Sequence, residues 1–276
     1  MKINALLEKL LSRAILSLFL VYTLFPMLWL VMASLKTNVE LLGDPFRFPA
    51  PPQFGNYVNA FKSAHLALLF SNSVIISFSA TALNALVASM AAYVLSRYKF
   101  RFGPVIFSTL ITGILVPVSA LMVPYFTLIR TLGLYDTKLA LILTYTAISL
   151  PLSVFIIKGF MDSIPAELEE AALLDGCDFY QKFFRVIVPI SRTGIVTAAT
   201  FQFLSSWNEF LYAMLLTSSE QVRTLQMGIR FFASQFTTDF TSMFAAIVIS
   251  IIPSVAMYSL FQNQIISGLT QGSVKG

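Results

Sequence analysis

Six stretches of this chain carry almost no charge, and they decide what it can fold into. They run from about Ala14 to Ala33, Leu69 to Leu95, Pro104 to Ile129, Leu139 to Ile157, Thr193 to Leu216 and Ser242 to Ile266. A charge at the centre of a bilayer costs at least about 2.5 kcal/mol, and an uninterrupted apolar run of ~18 residues marks a spanning helix. Among the six windows only the fifth holds a charged residue, Glu209. The expectation is an all-α integral membrane protein with six transmembrane helices. Pro26, Pro117, Pro124, Pro151 and Pro253 fall in or near the ends of the windows. Neighbouring helices and hydroxyl side chains satisfy backbone groups freed by proline, so kinks are expected there and not breaks.

Composition agrees, with 57% hydrophobic and 11% charged residues, against about 25% charged in a soluble domain. The net charge of +5 does not point to nucleic acid, because the 18 basic residues lie singly or in small groups between apolar blocks. Cys177 is the only cysteine and has no metal-ligand cluster around it in sequence, so a free thiol is expected. The first window follows Lys2, Lys9 and Arg13 in the manner of a secretory signal. Its twenty uncharged residues exceed a signal core, and no small-x-small cleavage site precedes Lys36. It is expected to be a retained anchor and first span.

With an even number of spans both termini share a side. Eleven basic residues fall on that side and seven on the other, the densest group being Arg97, Lys99 and Arg101 in the short turn between the second and third windows. Basic loops stay cytoplasmic, so both termini are expected in the cytoplasm. The segment from Ser34 to about Leu68, with Pro45, Pro49, Pro51 and Pro52, then lies outside and is expected to be extended with one short helix.

The inner loop, 158–192, holds Asp162, Glu167, Glu169, Glu170, Asp175 and Asp178 and cannot lie in lipid. Ser163 is placed to cap a helix beginning near Ile164 and Pro165, and Gly176 to stop it. Asp178 with Gln181 resembles a capping box opening a second helix, expected to end before Pro189. Leu168, Ala171, Ala172 and Asp175 recur at helical spacing, as do Phe179, Phe183 and Val186, with Tyr180 and Phe184 beside them. Aromatic residues so placed need burial in the bundle or in a partner's groove. An amphipathic helix resting on lipid is the bland alternative, but such helices favour basic polar faces and this one is acidic.

The stretch EAALLDGCDFYQKFFRVIVP, Glu170 to Pro189, resembles the E-A-A-x3-G-x9-I-x-L-P motif of permease subunits of bacterial ABC importers. Glu170, Ala171, Ala172, Gly176 and Pro189 match, and Val186 and Val188 stand in for isoleucine and leucine. The stretches SWNEFLYAMLL and GLTQGSVKG are similar to the carbohydrate-uptake branch of that family, the group of the smaller maltose permease. The resemblance covers essentially the whole chain and implies the type I importer permease fold. It implies one transmembrane permease domain, 1–276, with a core of about 66–266, an N-terminal span 14–33, a coupling loop 158–192 and a tail 267–276. It also implies a coupling helix seated in an ATPase cleft, so that Glu170, Ala171, Ala172, Asp175, Gly176, Phe179 and Pro189 belong to the ATPase contact. The implied partners are an ABC ATPase dimer, a second homologous permease, an extracytoplasmic solute-binding protein and a sugar, in a bacterial inner membrane. By the same resemblance, Arg223, Thr224, Gln226 and Gly228 belong to a loop that meets the binding protein. Gly272 and Lys275 belong to a tail reaching the ATPase, with a frayed terminus as the alternative.

No cofactor is expected on this chain. It has no G-x4-G-K-[ST] sequence, so ATP and Mg are expected on partner ATPase subunits. No nucleophile set is present either, and His65, the only histidine, falls in an outer loop, so no enzymatic chemistry is expected. Glu209 is a functional candidate by its position in a window, and two readings stay open. It bonds a neighbouring helix or a partner permease, or it joins Trp207 and Asn208 along a solute pathway. Asn84 is open in the same way, as interhelical glue or as cavity lining. A second class, an ion-coupled carrier acting alone, usually buries several acids or histidines in its spans. A membrane receptor needs a soluble signalling domain that the chain does not contain.

Overall fold

A computed structural model describes residues 2–63, 65–235 and 239–273, with side chains outside 2–7, 63, 231–235 and 267–273. Lys275 and Phe236 lie outside the described residues. The described chain is helical. Its helices are α1 (Lys2–Ser34), α2 (Asn38–Gly43), α3 (Gly55–Ser63), α4 (Leu66–Arg97), α5 (Gly103–Ile114), α6 (Met122–Thr131) and α7 (Lys138–Met161). They continue as α8 (Glu167–Leu174), α9 (Phe179–Ile190), α10 (Arg192–Asn208), α11 (Leu211–Leu216), α12 (Leu225–Gln235) and α13 (Phe240–Ser273). Four helices, α1, α4, α7 and α13, are long and apolar enough to cross a membrane. By the same test of length and apolar character α5 with α6 and α9 with α10 pass as bent pairs, giving up to six candidates among the described residues, and the fifth apolar window of the sequence corresponds to α10 and α11.

The prolines divide. Pro26, Pro151 and Pro253 lie inside continuous helices, and Pro124 lies in the first turn of α6. Pro117 sits at a break. Its ψ of 125° is extended, a 3-10 turn Val118–Leu121 follows, and the helices on either side are bent by 105°. The expected kink in the third span is therefore a break, because Pro117 fixes its own φ and disfavours a helical Val116. The fifth span is also interrupted. Glu209 has extended backbone (φ −72°, ψ 128°) between α10 and α11.

By contact clustering the chain forms two compact units. One is Met1–Ala67 with Gly228–Ile251, the other Leu68–Met227 with Ile252–Gly276. In the first, two short helices replace the single one expected between α1 and α4. The added helix, α2, is opened by a capping box in which Thr37 and Glu40 bond each other's backbone N–H. Lys36 is only 1% exposed, and its Nζ donates to the carbonyls of Asp44 (2.9 Å) and Pro45 (2.8 Å). Those bonds offset the cost of burying an ammonium.

In the second unit the core joins Ala88, Ala92 and Tyr93 of α4, Val154, Ile157 and Met161 of α7, Phe183 and Ile187 of α9 and Ala198 of α10. The helices α7 and α10 approach so closely at Gly194 that a Cβ there would lie 2.5 Å from the ring of Phe160. Gly194→Ala is therefore expected to destabilise the chain by about 1–3 kcal/mol, since the crowding atoms belong to a packed ring. A thermal midpoint in detergent equal to that of the parent protein would show that Phe160 moves aside freely.

Candidate functional site: the α8–α9 segment and the interrupted fifth span

The α8–α9 segment is made by local chemistry. Helix α8 begins at Glu167, later than expected, because Ser163 Oγ donates to Phe160 O (2.7 Å) and completes the end of α7 instead of capping α8. Glu167, Glu169 and Glu170 occupy its first turn, where carboxylates favour the positive helix end. Gly176 ends it in the left-handed region (φ +82°), with Gly176 N donating to Leu173 O and Cys177 N to Ala172 O. Glycine adopts that conformation at little cost. Asp178 and Gln181 form the expected capping box that opens α9.

The second helix does not end before Pro189. A π stretch, Lys182–Ile187, intervenes, in which Val188 N donates to Phe183 O, and the helix continues as Val188–Ile190. Lengthening the turn by one residue lets the chain absorb a proline that has no N–H to give. After Ser191 the direction changes by 77° into α10.

This segment has two sides. Ala172, Phe183 and Ile187 are buried within the chain, whereas Glu170, Ala171, Asp175, Gly176, Phe179 and Pro189 are exposed. Sequence reasoning placed Ala172 with the exposed residues, but it faces inward. It also missed Leu173 and Leu174, which are 61% and 90% exposed, next to Tyr180 at 65%. An aliphatic pair in an acidic helix was the available signal. Cys177 is a free thiol.

Glu209 is a cap, not a helical residue. Its Oε1 accepts from Tyr212 N (2.8 Å), and its Oε2 accepts from Ala213 N (3.0 Å) and Tyr145 Oη (2.8 Å). Of the two open readings the bonding one is what this geometry displays. Tyr212 Oη in turn donates to Val118 O (2.8 Å), at the break in the third span. Trp207 is 1% exposed, packed on Phe203 (centroids 5.8 Å apart) and edge-on to Phe70 (5.5 Å). Asn84 is also buried, and its Nδ2 donates to Thr146 O (3.0 Å). In this conformation neither lines an open space, and of the expected pathway residues Asn208 alone is exposed.

The turn after α11 is fastened at both ends. Asp136 Oδ1 accepts from Ser218 N (2.8 Å) and Ser219 N (3.0 Å), while Asn72 Nδ2 donates to the carbonyls of Gln221 and Arg223. Thr224 and Gly228 are buried, and Arg223 and Gln226 keep partial exposure. Gly272 lies in the last turn of α13.

With the geometry established, residues 84–270 match the family described as binding-protein-dependent transport system inner membrane component. The chain belongs to this family. Among its relatives, the sulfoquinovosyl glycerol transport system permease protein SmoH of Agrobacterium fabrum is 38% identical over 261 residues, 94% of this chain and 92% of that protein. The diacetylchitobiose uptake system permease protein NgcG of Streptomyces coelicolor is 37% identical over 266 residues, 96% of this chain and 88% of its own. The fold matches a crystal structure of a bacterial ABC transporter involved in the import of the acidic polysaccharide alginate. The TM-score is 0.81 at 22% identity, covering 93% of this chain and 96% of that one. The chain is thus a multi-pass ABC importer permease, and the reading as a carrier acting alone is not favoured.

Burial pushes the Asp136 carboxyl up, but the N–H and hydroxyl groups of Ser219 and Ser218 outweigh it and hold it below the ordinary carboxylate range. A lowered carboxyl stabilises its loop fully above the ordinary value of about 3.9 and loses that contribution as pH falls through the lowered one. Amide exchange of residues 217–224, corrected for intrinsic rate, is expected to accelerate as pH falls below about 4. Asp136→Asn is expected to remove that dependence. The same acceleration in the variant would exclude Asp136 as its origin.

Proposed function

We propose that this permease moves a sugar or oligosaccharide into the cell by ATP-driven alternating access, receiving its power stroke at the α8–α9 segment. The observation that carries the reading is a short segment, locked to its own bundle on one side, that presents Leu173, Leu174 and Tyr180 outward on the other. Apolar surface of this kind at the tip of a helical turn needs a protein groove. The E-A-A-x3-G resemblance at Glu170, Ala171, Ala172 and Gly176, which flank Leu173 and Leu174, supports an ABC ATPase as the owner of that groove. In this reading α8 and α9 face the cytoplasm with both termini, consistent with the positive charge of Arg97, Lys99 and Arg101. The relatives' names, which include sulfoquinovosyl glycerol, diacetylchitobiose and arabinooligosaccharides, support a saccharide as cargo.

The division of labour follows. ATP and Mg belong to a dimer of partner ATPases, and this chain performs no bond chemistry. A second, similar permease completes the pathway, and a solute-binding protein delivers the sugar near Arg223 and Gln226. The resemblance supports Gly272 and Lys275 as further residues of the ATPase contact. The chain acts as one transmembrane domain of the assembly. Whichever access state ATP favours must also be the state that the loaded binding protein favours, because coupling between two sites is reciprocal.

Two outcomes test the proposal. Leu174→Asp removes the burial of a whole leucine, worth about 2 kcal/mol, and is expected to weaken ATPase co-purification roughly 30-fold. Undiminished recovery of the ATPase would sink the contact. Gly176→Val forces a β-branched residue into left-handed backbone, although a Cβ placed there meets nothing within 4 Å. Uptake of radiolabelled maltose, trehalose or diacetylchitobiose, whichever the parent importer carries, is expected to fall more than tenfold at normal membrane abundance. Parental uptake by this variant would show that the turn is not used.

A further inference from the structure

Chain connectivity joins the α8–α9 segment to α7 on one side and α10 on the other. The side chains add a third attachment, to α4. Arg97, the last residue of α4, pairs through Nε with Glu169 Oε1, and its Nη2 donates to Ile164 O (3.0 Å) just before α8. One turn earlier on the same face of α4, Tyr93 Oη donates to the other carboxylate oxygen of Glu169 (3.0 Å). The side chains of Arg97 and Glu169 are 14% and 13% exposed, so the pair is largely shielded from water. The ring of Tyr93 also packs on Phe179 (5.4 Å) and Phe183 (5.2 Å) of α9. Thus α4 grips both short helices through two residues one turn apart.

Resting on the reading of α8 as the receiver of the power stroke, we propose that Tyr93, Arg97 and Glu169 are positioning residues. They form a latch that carries the displacement of α8 into the second span. Without the latch, motion at α8 enters the bundle along the chain, through α7 and α10, and through the apolar packing of Phe183 and Ile187 of α9, with no bond among the described residues from α8 itself to the second span. With it, the second span is displaced at the same moment. Ser96 Oγ, donating to Asp162 Oδ1 (2.7 Å), and Lys158 Nζ, bonded to Asp162 Oδ2 (2.7 Å), brace the ends of α4 and α7 together beside it. A shielded ion pair suits this role, because removing one member leaves an uncompensated charge.

The test uses the importer purified through a tag on this chain, in nanodiscs, with Mg·ATP and vanadate as the only added ligand. Hydrogen–deuterium exchange is followed in residues 90–97 of α4 and 167–175 of α8. In the parent complex, trapping is expected to change exchange in both segments. Glu169→Gln, which keeps an oxygen for Tyr93 and loses the charge, is expected to keep the α8 response and at least halve the α4 response. The exchanged pair Arg97→Glu with Glu169→Arg is expected to restore it. An α4 response of parental size in Glu169→Gln overturns the latch. So does an exchanged pair that recovers membrane abundance without the α4 response, which decides the matter if the single variant inserts poorly. If α8 of the parent complex does not respond to trapping, the underlying reading of α8 fails, and the latch with it.

Discussion

Hydrocarbon offers no water to a backbone group, so each place where a membrane helix is interrupted must bring its own hydrogen-bond partner. That constraint governs the centre of this permease. The third span breaks at Pro117 and the fifth at Glu209, and the two interruptions answer one another. The Glu209 carboxylate takes the first free N–H groups of α11, at Tyr212 and Ala213, as an N-terminal cap does elsewhere. Tyr212, anchored in that way, sends its hydroxyl to Val118 O and sets its ring edge-on to Tyr125 of α6, 5.4 Å between centroids. Tyr145 of α7 completes the acceptor set of Glu209. An acid in a membrane is costly when alone. Here one carboxylate holds three donors and lets an irregular segment exist where a plain helix was expected.

Proline shows why part of this was legible in the sequence and part was not. The nearly charge-free windows located the four long apolar helices α1, α4, α7 and α13 and the interrupted stretches between them, because the cost of an intramembrane charge is a local property of sequence. A proline's fixed φ, its missing N–H and its restriction of the preceding residue permit either a bend or a break, and the packing around it selects between them. At Pro151 the helix survives, and two carbonyls near the proline accept amides from other spans, Thr146 O from Asn84 and Tyr145 O from Gln202. At Pro117 the chain turns away instead. The local sequences of the two prolines do not contain that difference.

Caps were legible for the same reason that spans were. Asp178 with Gln181, and the glycine stop at 176, depend on residues a few positions apart, and both are present as read. The reading failed where a side chain had two local uses, as at Ser163, whose hydroxyl closes α7 rather than opening α8. Arg97 was legible as a topology signal and not as the partner of Glu169, because the two are separated by most of two spans. The inward turn of Ala172 was hidden similarly. Periodicity states that residues share a helix face, but only the packed neighbours show which way that face points.

The mechanical consequence lies in how unevenly the α8–α9 segment is held. Its inner side is fixed by Ala172, Phe183 and Ile187, and its ends by the Asp162 bonds and by the close approach of Gly194 to Phe160. Its outer side carries Leu173, Leu174 and Tyr180, each more than half exposed. Close-packed interiors transmit displacement because they have little room to absorb it. Under the proposed function a push on Leu173 and Leu174 would pass through this packing, by way of the Gly176 turn and the π stretch Lys182–Ile187, to the irregular segments at Ser191, Pro117 and Glu209. Those are the positions at which helices of this unit change direction, and under the proposed function they are where a displacement at α8 would become relative rotation of the spans.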